Sequence, residues 1–147
     1  NKYLNLGDDY NLAAEYPIRL IRDDGSSVLR AVRRVNEDKS IVFAGTIPEG
    51  AKVRFSAAPG FEIIEHTLEL LSELNKQNPR ADAILLFSCK GRHLVLGPMV
   101  EDEISGIRKL WKVPLVGLFT YGEIGPGPQG RCDFHNHTVV PVLIHEK

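Results

Sequence analysis

Three short stretches of the sequence gather the side chains best suited to chemistry. FSCKGRHLVLGP, residues 87–98, follows the apolar run Ala83–Phe87 with a thiol, an amine, a glycine and a guanidinium in a row. Gly91 lets a ligand approach the backbone, and Arg92 offers a planar fork of donors matched to a carboxylate or phosphate. Arg92 can equally pair with Glu101 or Glu103, in which case the glycine only turns the chain. In the second stretch, FTYGEIG at 119–125, Tyr121, Gly122 and Glu123 again place polar groups after an apolar run. If the two runs are neighbouring strands, Arg92 and Glu123 open onto one cleft, and a guanidinium facing a carboxylate suits the two charged ends of an amino acid. A salt bridge between them, without any ligand, satisfies the same spacing.

The third stretch is RCDFHNHT, residues 131–138. Cys132, His135 and His137 are metal-ligand types, but their spacing is not that of a zinc knuckle. If Phe134 to Thr138 runs into a final strand, His135 and His137 fall on one face and Asn136 on the other. Cys89 is a candidate nucleophile with His135 as its base and Glu123 or Asn136 as the orienting group, provided that the thiol and an imidazole are hydrogen-bonded. Against this stands the plainer reading of Cys89 as an inert thiol at a strand end. Glu101, Asp102 and Glu103 fall in the first turn of a helix, where acidic groups complement the dipole.

These residues need a framework to hold them, and the hydropathy pattern supplies one. Ile18–Ile21, Val28–Val35, Ile41–Phe43 and the pair Val53 and Phe55 alternate with turn signals such as Asp23-Asp24-Gly25, which predicts an antiparallel meander. After Pro59-Gly60, the residues Phe61, Ile64, Leu68, Leu71 and Leu74 recur at helical spacing up to Asn78-Pro79. Ala83–Phe87 reads as a strand covered on both faces. Val100, Ile104, Ile107 and Trp111 mark a second helix with Pro98 in its first turn. Leu115–Phe119 reads as another buried strand, and Gly122–Gly130, with four glycines and two prolines, as a shaped loop. Val139–Ile144 closes the chain as a strand whose Pro141 calls for an edge or a bulge. The predicted class is α/β (α+β), with one mixed sheet of about six or seven strands and two main helices.

At 147 residues the chain fits a single domain, 1–147. Eighteen basic residues against nineteen acidic ones leave no electrostatic footprint for nucleic acid. The longest apolar stretches are far short of the roughly 20 residues that span a bilayer, so no membrane insertion by this segment is expected. The opening residues have no signal-peptide pattern, and two cysteines in such a chain fit free thiols in the cytoplasm. No cofactor is called for by any motif.

FSCKGR, VEDEI, LVGLFTYGEIGP and FHNHT, in this order and preceded by YPIRL and IPEGAKVRF, resemble the C-terminal half of the FIST domain, and the resemblance implies a core at 16–144. The family is named for F-box and intracellular signal transduction proteins. The resemblance implies a cytoplasmic module that senses a small molecule such as an amino acid, working with an N-terminal FIST half and a signalling output domain, and binding without turnover. The N-terminal half is expected to lie outside this sequence. The family's polar positions fall on Cys89, Gly91, Arg92, Glu103, Tyr121, Gly122, Glu123, Gly125, Asn136 and Thr138. A cysteine-dependent hydrolase or transferase, and a protein-interaction module of an F-box-like protein marked by a broad apolar patch, are the alternatives.

Overall fold

The computed structural model describes residues 15–57, 60–127 and 130–146. The opening segment read for a signal peptide, Pro59 of the turn before the first helix and part of the glycine-rich stretch lie outside the described residues. The elements in chain order are β1 (Ile18–Ile21), β2 (Ser27–Arg30), β3 (Val32–Val35), β4 (Ile41–Phe43), β5 (Lys52–Phe55), α1 (Glu62–Gln77), β6 (Ala83–Cys89), α2 (Lys90–Leu96), a 3-10 turn (Gly97–Met99), α3 (Val100–Trp111), β7 (Leu115–Thr120), β8 (Glu123–Pro126), β9 (Cys132–His135) and β10 (Val139–Ile144). The class is α+β. Its described strands form four hydrogen-bonded groups, in the orders β2-β1-β5, β3-β4, β10-β6-β7 and β8-β9.

The N-terminal strands pair antiparallel, but not as a simple meander. β1 is the central strand, flanked by β2 and by the distant β5, while β3 and β4 form their own ribbon. Val28–Val35 breaks at Ala31, whose N–H is diverted to the side chain of Asn136 at 3.1 Å. That bond ends β2 and turns β3 out of its plane.

In the second half, β6 runs parallel to β7 and antiparallel to β10, with α2 and α3 making the connection from β6 to β7. Pro141 sits on the edge strand β10, where a missing N–H costs least. Ile84 and Leu86 of β6 face α1 and α3 and form the main core with Leu71, Ile107 and Trp111. Burying an aliphatic or aromatic side chain of this size contributes about 2 kcal/mol. The helices are also tied at their ends, where the Trp111 indole N–H donates to the carbonyl of Asn78 at 2.9 Å. α3 stops at Lys112, which adopts the left-handed conformation, φ 55°, and returns its N–H to Arg108.

Three expectations change. The cluster after β6 is not a loop: Lys90–Leu96 forms a short helix, α2, that periodicity alone could not separate from the longer α3. The glycine-rich stretch contains a strand, β8, paired with β9. β7 is not buried. Val116 is 68% and Leu118 52% exposed, because α1 and α3 cover only the opposite face of the sheet. Val142 and Ile144 of β10 are exposed too, and register places them with Leu85, Phe87, Val116 and Leu118 on that same open side.

Candidate functional site

Arg92, on α2, is buried, and its guanidinium meets the carboxylate of Glu103 on α3. The Arg92 Nε–H donates to Oε1 at 2.9 Å and to Oε2 at 3.1 Å, and its Nη2 bonds both Oε1 of Glu103 and the Thr67 hydroxyl on α1, the latter at 2.7 Å. Nη1 has only a 3.5 Å contact with the carbonyl of His137. Of the two possibilities left open by sequence, pairing with Glu103 is therefore realised. Glu103 is almost fully buried and does more than complement a helix dipole.

Glu123, at the start of β8, occupies a separate buried site. Its Oε1 accepts from the Thr120 hydroxyl and its Oε2 from the Thr138 hydroxyl, each at 2.6 Å. Burial raises its pKa, and the two threonine hydroxyls and the Cys89 thiol act against that rise. No cation pairs with it among the described residues. Cys89 is buried as well, and burial together with the nearby Glu123 carboxylate pushes its thiol upward. That is the opposite of what a thiolate nucleophile needs. Among the described residues no hydrogen bond joins the thiol to an imidazole, and Nε2 of His135 has no partner.

The segment Asn136–Thr138 lies between these two sites. His137 takes a left-handed conformation, φ 59°, so the chain bends here instead of running on as strand. The bend removes the alternation that would have put His135 and His137 on one face. Cys132 is exposed, and no three His, Cys, Asp or Glu side chains among the described residues are grouped to hold a metal ion. Asn136 is buried, accepting from Ala31 through Oδ1 while its Nδ2 has no partner. The His137 ring lies against Gly91, where a Cβ would come 3.0 Å from its Cε1, so this glycine serves close packing. Gly122 has the same kind of role: a Cβ there would lie 2.1 Å from the Phe134 ring. Gly125 is buried in β8, toward Val140. Tyr121 points outward, 64% exposed, with the Arg33 guanidinium over its ring.

A cavity of about 160 Å³ opens beside Arg92. Arg19 of β1 and Leu29 of β2, directly opposite one another in register, line it together with Ile63, Val95, Arg92 and His137. The expected common hollow for Arg92 and Glu123 is thus divided: Arg92 borders this cavity and Glu123 does not. Burial, followed by the charge of Arg92, lowers the His137 pKa to about 4, which keeps the ring neutral at pH 7. Its Nε2 is buried without a partner. Sequence reasoning missed Arg19, Thr67 and the pocket role of His137, since nothing in their local spacing tells of a neighbour so far along the chain.

The model of the FIST C domain matches residues 1–126. The chain belongs to the FIST C domain family. FIST C domains are sensory-type modules of signal transduction proteins. Cys89, Arg92, Glu103 and Glu123 lie within the matched part, and Asn136, His137 and Thr138 beyond it. No curated protein and no solved structure matches this FIST C domain. No helix among its described residues is long and apolar enough to cross a membrane.

Proposed function

We propose that this FIST C domain binds a small metabolite in the cavity beside Arg92 and so works as the ligand-sensing part of a cytoplasmic signalling protein. The observation that carries the reading is a hollow of about 160 Å³ bordered by a buried guanidinium with spare donor capacity at Nη1 and by a buried imidazole nitrogen without a partner. Walls contributed by β1, β2, α1, α2 and the 136–138 bend mean that a ligand touches both halves of the chain. Occupancy then favours whichever arrangement of those elements makes the better contacts, and an attached output domain reads that shift. The Cys89, Glu123, Thr120 and Thr138 cluster supports the bend and performs no turnover in this reading.

The amino-acid reading gives the ligand carboxylate to Arg92 and the ammonium to Glu103 or Glu123. Glu103 is engaged by Arg92, and Glu123 is held by two hydroxyls away from the cavity, so neither carboxylate is free to take a ligand ammonium there. The testing experiment is a thermal-shift panel of amino acids and small organic acids on the full chain. A rise in Tm for at least one compound is expected, removed by Val95→Phe, which fills the cavity. No shift with any compound, on folded protein, would sink the sensory reading.

The open face of the β10-β6-β7 sheet supports a second contact. Its apolar side chains favour burial against another surface, and the N-terminal half that the family resemblance implies is the proposed occupant.

A further inference from the structure

The groups around the cavity discriminate between ligand classes. Arg19 and Arg92 line it, and among the described residues no aspartate or glutamate does. In the pairing of β1 with β5, Arg19 lies directly opposite Arg54, so two like charges share one face of the sheet at the cavity's border. Like charges in that position destabilise a sheet unless something offsets them. An ammonium group entering here would lose its water, meet arginines and find no carboxylate in the wall, a costly exchange. A carboxylate meets the opposite conditions: the lightly used Nη1 of Arg92 and the cationic side chain of Arg19. Pro17, Leu29, Ile63 and Val95 give the remaining wall an apolar character that accepts a short hydrocarbon chain.

Size narrows the class further. An engineered apolar cavity of about 150 Å³ holds benzene, so this one accommodates about six to eight non-hydrogen atoms. Resting on the ligand-binding reading above, we infer that the site takes a small aliphatic monocarboxylate of about four to six carbons with no ammonium group. Isovalerate and the corresponding 2-oxo acid have this chemistry, whereas valine and leucine do not.

The test is calorimetric titration of the full chain with isovalerate, 3-methyl-2-oxobutanoate, leucine, isoamylamine and inorganic phosphate. The carboxylates are expected to bind at least tenfold more tightly than leucine, with no binding of the amine or of phosphate. Arg92→Met breaks the buried pair with Glu103 and is a poor probe, so Arg19→Gln, on an exposed position, is used instead. It is expected to weaken carboxylate binding at least tenfold without lowering the unliganded Tm, because it also relieves the repulsion from Arg54. Leucine binding as tightly as isovalerate, phosphate binding in place of both, or undiminished isovalerate binding by Arg19→Gln overturns the inference and leaves a sensory site of other specificity. Silence from all five probes overturns the monocarboxylate inference, and the thermal-shift panel then decides the sensory reading separately.

Discussion

At the residue scale, the chemistry here rests on two buried carboxylates that are treated differently. Glu103 is balanced by a cation and Glu123 only by hydroxyls. Removing one member of a buried pair leaves the other charge uncompensated, which typically costs about 3–5 kcal/mol, while replacing both with apolar groups is often close to neutral. Glu103→Leu is therefore expected to lose about 3 kcal/mol or more in urea denaturation, and Arg92→Met with Glu103→Leu to recover most of it. His137 governs a pH dependence. Its folded pKa near 4 lies below the ordinary 6.5, so the unfolded chain binds the extra proton. The stabilisation is thus complete above pH 6.5 and is lost as the pH falls from 6.5 to 4, an effect on the order of 3 kcal/mol. His137→Asn, with a residue that accepts the left-handed backbone, is expected to flatten the fall in Tm over that range.

At the element scale, the long amphipathic segments were legible and the short ones were not. α1, α3 and β1 lie where periodicity and turn residues place them, because each buries a stripe that the chain spells out locally, and β4 lies where its flanking turns place it. Ile107 is the centre of this arrangement, fully buried between α1 and the sheet. Ile107→Ala is expected to cost about 2–5 kcal/mol by thermal or urea unfolding, whereas Leu70→Gln, on the exposed side of α1, should stay within about 0.5 kcal/mol. α2 and β8 escaped notice for physical reasons. α2 has only seven residues, too few for a periodic stripe, and it is held by Arg92 to Glu103 and Thr67. β8 carries two residues that disfavour strands, Gly125 and Pro126, and owes its pairing to β9 across the loop. The site shows the same division. The buried polar residues Arg92, Glu103, Glu123 and Asn136 could be named from sequence, but that Arg92 meets Glu103 while Glu123 meets Thr120 and Thr138 is decided by how the elements pack.

At the scale of the whole molecule, the layers are unequal. Two helices cover one side of the β10-β6-β7 sheet, and Val116, Leu118, Val142 and Ile144 remain exposed on the other. A run of apolar residues in a strand usually announces burial, and LVGLF misled for that reason: no element among the described residues covers that face. Replacing Val116 and Leu118 with lysine is expected to leave Tm nearly unchanged, to reduce binding of a hydrophobic dye, and to abolish association with an added N-terminal FIST half. A folded double variant that still associates normally would place that contact elsewhere.

The carbonyl of His137 touches the Arg92 guanidinium, and the hydroxyl of the very next residue, Thr138, holds Glu123. Two charged groups brought from separate strand ends are therefore fastened to opposite sides of a single peptide link. If an anion settles against Nη1 as proposed, a rotation of that link is expected to alter the grip on Glu123 and with it the tip of β7, so that the kink acts as a fulcrum.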